Sequence, residues 1–146
     1  MSDIEYIIRD YQDDDYSQVI ELWEETDMGG AFRGDDESKI RDTLKVGGKL
    51  LVMEAINENI IIGTSWLTND GRRIYLHHFG IKPEYQGRGL SKPLTKASID
   101  FAKEKGLQIK LEVHRENKTA VDLYKKFGFK YLGDYDVYII RKYIDQ

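Results

Sequence analysis

Residues 82–97 read KPEYQGRGLSKPLTKA, in which Gly87 and Gly89 are separated by one residue. A strand-like run, residues 72–81 (RRIYLHHFGI), precedes this stretch, and a helix-like run follows it. A strand, a glycine turn and a helix start together present successive backbone N–H groups at the positive end of a helix dipole, where phosphate oxygens bind. Glycine has no Cβ, so an anion can approach the backbone closely. The stretch therefore predicts a phosphate-binding turn.

Known nucleotide-binding motifs differ in how well they match this turn. A Walker A loop is excluded because the chain contains no Gly-Lys-Ser/Thr. The dinucleotide fingerprint G-x-G-x-x-G begins at Gly87 and Gly89, but Lys92 stands where its third glycine belongs. Glu112, near the next predicted strand, could imitate the acid that binds the ribose. A nicotinamide-dependent oxidoreductase therefore remains an alternative.

The segments around the turn show strand and helix patterns in alternation. Three runs rich in β-branched and aromatic residues, separated by NEN and NDG, predict antiparallel strands joined by hairpin turns. Aspartates at the start of the first helix can cap it, and Gly106 and Gly128 end later helices. The expected fold is an α/β or α+β sheet flanked by helices. Strands are predicted at residues 4–11, 49–56, 60–68, 72–81 and 107–113, with one or two more in 129–144, and helices at 13–28, 35–45, 90–105 and 117–127.

Composition excludes several classes of protein. The 146 residues are 40% hydrophobic, which is enough for one core, so we expect a single domain over residues 1–146. The absence of cysteine excludes disulfides, thiolate metal sites and cysteine nucleophiles, and allows a reducing compartment. No signal peptide or membrane-spanning run is seen, so we expect a cytoplasmic protein without a membrane partner. A net charge of −4 argues against general nucleic-acid binding.

Two linked motifs resemble the GNAT family of N-acetyltransferases. The family's pyrophosphate loop, Q/R-x-x-G-x-G/A, is matched by residues 86–91 (QGRGLS), with Ser91 where the family prefers glycine or alanine. Residues 79–98 resemble the family's fourth strand, loop and third helix. Residues 111–133 (LEVHRENKTAVDLYKKFGFKYLG) resemble its fifth strand, the helix start that carries an asparagine and the tyrosine two turns later. The resemblance covers essentially the whole chain.

The resemblance implies a fold and a cofactor. The fold would be the GNAT acyl-CoA N-acyltransferase fold, a mixed and mostly antiparallel sheet of six to seven strands flanked by four helices. The donor would be acetyl-CoA, with backbone N–H groups of residues 87–91 on the pyrophosphate, and no metal is implied. The backbone of Ile81 would pair with the pantetheine arm, much as an added strand does. The implied cofactor contacts are Phe79, Gly80, Ile81, Gln86, Gly87, Arg88, Gly89, Leu90, Ser91, Asn117 and Tyr124.

Candidate catalytic side chains follow from the same resemblance. Tyr124 matches the general-acid position, two helical turns after Asn117, although it could also be an ordinary core aromatic. Asn117 is a natural helix N-cap, and the family's equivalent asparagine also touches the cofactor. Glu112 and His77 are both candidates for the base, and an ordered water is a third possibility. On a regular strand His77 shares a face with Tyr75 and Phe79 while His78 points away, but a bulge would exchange the faces.

The amine acceptor is left open by the sequence. A small-molecule amine and a protein N-terminus or lysine are both compatible, and direct attack is expected because no cysteine can form a thioester. Candidate acceptor contacts near the first two helices are Trp23, Met28, Phe32 and Arg33. A non-catalytic CoA-binding or sensor domain on the same fold is an alternative. The aromatic C-terminal strands could also pair across a homodimer.

Overall fold

The computed structural model describes residues 4–28 and 34–144. The elements occur in the order β1, α1, α2, β2, β3, β4, α3, β5 and α4, which confirms the predicted order up to the last helix. The strands are β1 (Tyr6–Asp10), β2 (Lys49–Ala55), β3 (Ile60–Asn69), β4 (Arg73–Ile81) and β5 (Gln108–Leu111). The α-helices are α1 (Tyr16–Glu25), α2 (Glu37–Lys45), α3 (Ser91–Lys105) and α4 (Lys118–Lys126).

The five strands form one sheet in sequence order. Strands β1 to β4 are antiparallel to their neighbours, and β5 is parallel to β4 because α3 carries the chain back across the sheet. The β3–β4 turn is fixed by Asp70, whose Oδ1 accepts hydrogen bonds of 2.7 Å from the backbone N–H groups of Arg72 and Arg73. The mixed, mostly antiparallel sheet is therefore as predicted.

Two clusters of buried side chains lie on opposite faces of the sheet. In β2, Leu51 and Met53 belong to one cluster with helix α3, whereas Leu50 and Val52 belong to the other with helices α1 and α2. Alternate residues of a strand face opposite sides, so the sheet is covered by helices on both. None of the helices within residues 4–28 and 34–144 is long and apolar enough to cross a bilayer.

The C-terminal residues differ from the prediction. One or two strands were expected in residues 129–144, but the described part of this segment contains no strand, so the sheet has five strands and not six to seven. The pattern of β-branched and aromatic residues was the basis for the expectation. A strand, however, also needs a hydrogen-bonded neighbour, and no described segment of the chain pairs with this one.

The expectation that aspartates cap the first helix is also wrong for Asp15. Asp15 precedes α1, but its side chain makes no cap hydrogen bond to that helix. Its carboxylate instead accepts two hydrogen bonds from Arg9, at 2.8 and 2.9 Å, and one from the backbone N–H of Gln12 at 2.7 Å. The carboxylate therefore joins the end of β1 to the start of α1.

Candidate active site

Strand β4 contains a bulge shortly before the glycine turn. Thr64 of β3 stands opposite Gly80 and Trp66 stands opposite His77, so two residues of β4 face one residue of β3. His78, one of these two, has a φ of +41°, which side chains other than glycine rarely adopt. A bulge re-aims side chains and ends regular pairing, and this one lies where the resemblance places the pantetheine arm.

The bulge is held by hydrogen bonds from the core. Thr64 Oγ1 donates to the carbonyl oxygen of His78 at 2.7 Å, and Trp23 Nε1 donates to Thr64 Oγ1 at 2.9 Å. The Trp23 ring stacks on Trp66, with centroids 5.3 Å apart, and lies 4.4 Å from the His78 ring. Trp23, a candidate acceptor contact, has 0% exposed surface, so in this structure it supports the bulge and does not line an open pocket.

The regular alternation expected along β4 is wrong beyond His77. His77 stacks on Tyr75, with centroids 4.1 Å apart and planes 6° apart. His78 lies beside the tryptophan pair on the same face of the sheet, with its ring centroid 6.3 Å from that of His77. Phe79 instead packs edge-on against Tyr124, at 5.9 Å, in the opposite cluster. The bulge therefore places both histidines on one face and Phe79 on the other.

The glycine turn has the backbone geometry of an anion-binding loop. Gly87 and Gly89 both have a φ of +79°, and a Cβ built on either would meet no atom within 4 Å. The requirement for glycine is therefore conformational, while the space in front of both residues is open to a ligand. Leu90 precedes α3 without a side-chain cap, and the first turn of this 15-residue helix carries no acidic residue. The Lys92 N–H donates to the carbonyl of Gly89 at 3.3 Å and Pro93 has no N–H, so the helix start offers an anion fewer N–H groups than a regular helix N-terminus.

Side chains fix the turn to the end of β4. Gln86 Nε2 donates to the carbonyl oxygen of Ile81 at 2.9 Å. The guanidinium of Arg88 lies 5.3 Å from the Tyr85 ring centroid and donates to the carbonyl of Glu84. A pantetheine arm that pairs with Ile81, as expected, would compete with the Gln86 amide for this carbonyl. The motif alone does not indicate that Gln86 binds the end of β4.

Met28, one of the candidate acceptor contacts, lies beside Gly80 of β4. A Cβ built on Gly80 would lie 2.7 Å from Cε of Met28, the end of a flexible side chain, so a larger residue there would displace the Met28 side chain. The backbone N–H of Met28 donates to the carbonyl of Trp23 at 2.8 Å, which holds the residue after the end of α1. The other two acceptor candidates, Phe32 and Arg33, fall in residues 29–33, outside the described part of the chain.

Tyr124 lies in α4, and Asn117 immediately precedes this helix, as expected. Asn117 Oδ1 accepts from the backbone N–H of Ala120 at 3.3 Å, which confirms it as the N-cap of α4. Tyr124 is 9% exposed and packs edge-on against Phe79 and Phe129. Burial raises the pKa of its phenol to about 12. The hydroxyl is therefore protonated at neutral pH and can donate a proton.

Glu112, Tyr75 and His77 form a second group of titratable side chains, where β4 and β5 meet. Burial and, next, a hydrogen bond to the Glu112 carboxylate raise the pKa of Tyr75. Burial, followed by the neighbouring His78, lowers the pKa of His77 to about 4, and its Nε2 lies 2.9 Å from Thr68 Oγ1. The imidazole is therefore neutral at physiological pH, whereas Glu112 is exposed.

A shallow cavity of about 250 Å³ adjoins this group. Its lining carries three basic side chains and the Tyr75 ring, and Lys110 lies 5.8 Å from that ring's centroid. Thr64 and Tyr75 are the two residues that sequence reasoning missed as parts of the site. The register of β3 against β4 brings Thr64 to the site, and that of β4 against β5 brings Tyr75 to it; a single sequence encodes neither register locally. The lining residues are Thr68, Asp70, Arg72, Arg73, Tyr75 and Lys110.

Within the described residues, no group of three His, Cys, Asp or Glu side chains is placed to hold a metal ion. The adjacent histidines do lie on one face, contrary to the expectation for a regular strand. His78 Nε2, however, lies 3.2 Å from a carboxylate oxygen of Asp35, and His77 is bonded to Thr68. The two imidazole rings therefore contact neighbouring side chains of the protein near the bulge.

Comparison with known proteins shows the family to which the chain belongs. The model of the Acetyltransferase (GNAT) family matches residues 7–129. An acetyltransferase of Yersinia pestis is 27% identical over 124 residues, which are 84% of this chain and 86% of that protein. A thialysine N-epsilon-acetyltransferase of Bos taurus is 43% identical over 65 residues, which are 44% of this chain and 38% of that protein.

Solved structures share the fold. A GNAT acetyltransferase of Streptococcus pneumoniae superposes with a TM-score of 0.70 at 21% identity, covering 85% of this chain and 83% of that one. Glucosamine-6-phosphate N-acetyltransferase of Arabidopsis thaliana gives 0.69 at 19% identity, covering 97% of this chain and 99% of that one. The family model matches residues 7–129, and the chain belongs to the GNAT family.

Proposed function

We propose that this protein transfers the acetyl group of acetyl-CoA directly to the primary amine of a small molecule. The observation that carries the proposal is the arrangement around β4, whose end leads into an open anion-binding turn and whose bulge carries Phe79 against the phenol of Tyr124. The positive φ of Gly87 and Gly89 and the contact between Phe79 and Tyr124 define this arrangement.

The residues present fit a CoA pyrophosphate. The N–H groups of residues 87–91 would hold it at the start of α3, with Arg88 adding a positive charge. Asn117 would contact the cofactor with the side-chain atoms that its capping bond leaves free. Acetyl-CoA supplies an acetyl group already activated as a thioester.

Tyr124 would donate a proton to the leaving sulfur. Its phenol carries a proton at neutral pH, burial raises its pKa to about 12, and its ring packs between Phe79 and Phe129. A proton donor at this position prevents the thiolate from leaving as a free anion in a partly buried site. The hydroxyl of Tyr124 would therefore be the group that protonates the thioester sulfur of bound acetyl-CoA.

Glu112 would receive the proton of the acceptor amine, directly or through a water. It is an exposed carboxylate close enough to Tyr75 to raise, after burial, the pKa of that phenol. His77 is the less accessible of the two, since it is partly buried and its Nε2 lies 2.9 Å from Thr68 Oγ1. We propose that His77 instead positions Tyr75, on which it stacks.

A small cationic amine is the preferred acceptor class. The relative from Bos taurus is named for thialysine, an amine carried on a small molecule, and its match to this chain is the highest in identity among those above. The chain contains no cysteine that could form a thioester intermediate, which favours direct attack. A protein N-terminus or lysine is the second candidate, favoured by the exposed Glu112 carboxylate, which a bulky acceptor could reach.

The test combines ligand binding with turnover. Acetyl-CoA should raise the melting temperature, because a ligand that binds only the folded state stabilises it. Thiol release should then be measured against lysine analogues, polyamines, amino sugars and short peptides. Release with a small amine supports the proposal, and release with peptides alone favours the second candidate. Stabilisation without release for any acceptor would point to a CoA-binding sensor, and no stabilisation would contradict the cofactor assignment.

A further inference from the structure

The shallow cavity at the start of β4 carries a local positive charge in an acidic protein. Its lining includes the cationic side chains of Arg72, Arg73 and Lys110 and a single anionic one, that of Asp70. The whole chain, by contrast, has a net charge of −4. Within residues 4–28 and 34–144, no salt bridge includes any of these cations. The cavity therefore attracts an anionic group and repels a cationic one.

The Asp70 carboxylate is bonded to the backbone of the β3–β4 turn. Its Oδ1 accepts hydrogen bonds of 2.7 Å from the backbone N–H groups of Arg72 and Arg73. The Arg73 side chain has a neutral partner, since its Nε donates to Oε1 of Gln108 at 3.0 Å. Because a guanidinium has several N–H donors in a planar fork, Arg73 keeps donors for an anion with more than one oxygen.

Tyr75 joins this cavity to the proposed base. Its ring lines the cavity, with the Lys110 ammonium 5.8 Å from the ring centroid. Burial and then the nearby Glu112 carboxylate raise the pKa of its phenol. In the register of β4 against β5, Tyr75 stands opposite Lys110 and Arg73 stands opposite Gln108. At a rise of about 3.3 Å per residue, Glu112 is therefore about 7 Å along the sheet from Lys110 and about 13 Å from Arg73.

The pyrophosphate of CoA is not the anion that this cavity suits. The cavity lies at the first residues of β4, whereas the glycine turn follows its last residue. The nine residues of β4 span roughly 25 Å. Gly87 and Gly89 face open space at that far end. An anionic group in the cavity therefore belongs to a different molecule, and the closeness of the cavity to Glu112 indicates the acceptor.

We propose that the acceptor amine also carries an anionic group, a carboxylate or a phosphate, which binds Arg72, Arg73 and Lys110. Its amine then lies at Glu112, so this inference rests on the proposed function. The acceptor is an ω-amino acid or an aminoalkyl phosphate whose charged groups are about 7–13 Å apart. An amine and a carboxylate joined by five methylene groups are separated by about 7 Å, as two residues of extended chain are. The ω-amino acid ε-aminocaproate therefore reaches from Glu112 to Lys110, whereas glycine does not.

Amines that share a chain of five methylene groups and differ only at the far end test the inference. The far end is a carboxylate in ε-aminocaproate, a methyl group in hexylamine and a second amine in cadaverine. Each is titrated into the protein with and without CoA, and calorimetry measures its binding without turnover. We expect ε-aminocaproate to bind at least about tenfold more tightly than hexylamine, and cadaverine to bind most weakly. Aminopentyl phosphate, with the same chain, shows which of the two anionic groups binds better.

Charge-removing variants place the effect at the cavity. The double variant Arg73→Gln/Lys110→Gln should bind ε-aminocaproate about tenfold more weakly and no better than it binds hexylamine. Lys103→Gln is the matched control, because Lys103 is an exposed cation on α3, which packs on the other face of the sheet. It should keep the full preference for the carboxylate. If the double variant folds poorly, Arg72→Gln in the exposed turn replaces it.

Binding decides the inference, and thiol release decides the proposed reaction. Equal binding of ε-aminocaproate and hexylamine, or tighter binding of cadaverine, would overturn the inference even if hexylamine were acetylated. A preference for the carboxylate that survives in the double variant would overturn it as well. A preference that the double variant abolishes would support it, and the absence of thiol release would then count against the proposed reaction alone.

Discussion

Thr64 Oγ1 joins two parts of the chain that lie far apart in sequence. It accepts from Trp23 and donates to the carbonyl of His78, so one hydroxyl connects α1, β3 and the bulge of β4. Thr64 is fully buried, as is Trp23. A buried donor or acceptor that loses its partner costs about 1–3 kcal/mol, so this hydroxyl fixes the bulge more firmly than packing alone would.

Thr64→Val should therefore destabilise the protein by about 2–5 kcal/mol, because it keeps the shape and leaves both partners without a hydrogen bond. Urea unfolding measures the loss. Thr64→Ser, which keeps the hydroxyl, is the control and should lose less. Equal losses in the two variants would show that the methyl group, and not the hydroxyl, supports the bulge.

Substitution of Glu112 tests its proposed role as the general base. Glu112→Gln should lower kcat/KM about 10²- to 10⁴-fold, which is the usual range for removing a general base. The melting temperature should change little because the carboxylate is exposed. Glu116→Gln, another exposed carboxylate on the loop before α4, is the matched control. A Glu112→Gln variant as active as the control would return the base role to a water or to His77.

At the scale of elements, the glycine turn and the bulge were unequally predictable. The turn was predicted from sequence because the positive φ of residues 87 and 89 favours glycine, which the sequence shows directly. The bulge has no such signal in the sequence, since His78 adopts a positive φ without being glycine. A hydrogen bond from Thr64, on another strand, stabilises this conformation. The segment 129–144 was over-predicted for the opposite reason, because local strand preference does not supply a pairing partner.

Gly87→Ala and Gly89→Ala test whether the turn binds the cofactor through its backbone. Each should cost roughly 1–2 kcal/mol of stability through left-handed strain and also raise the Kd for acetyl-CoA. Gly71→Ala in the β3–β4 turn is the matched control, with a φ of +83° and equally open surroundings. It should lose similar stability and bind acetyl-CoA normally, as measured by calorimetry. If Gly71→Ala weakened binding as much, the effect would be one of stability alone.

At the scale of the whole molecule, two buried groups make stability depend on pH in different windows. The folded pKa of His77 is about 4 against an ordinary 6.5, so the unfolded chain takes up a proton that the folded one refuses. This stability is fully present above pH 6.5 and is lost as pH falls toward 4. Burial alone would raise the pKa of Asp15, but hydrogen bonds from Arg9 and Gln12 lower it, so its contribution is lost only at more acidic pH.

Urea unfolding from pH 7 to pH 3 separates the two groups. His77→Gln should flatten the stability profile between pH 6.5 and 4, where wild type loses about 3 kcal/mol at roughly 1.4 kcal/mol per pKa unit. Asp15→Asn should lower stability at pH 7 and leave the slope in that window intact. An unchanged slope in His77→Gln would mean that the imidazole is protonated normally in the folded protein.

The most direct test of acetyl transfer by this site is the Tyr124→Phe variant, compared with wild type for acetyl-CoA affinity by calorimetry and for kcat by thiol release with the best acceptor. Loss of the phenolic proton should lower kcat at least about a hundredfold and leave the Kd for acetyl-CoA and the melting temperature unchanged. A variant that binds acetyl-CoA and turns over like wild type would contradict the role of Tyr124 as the proton donor.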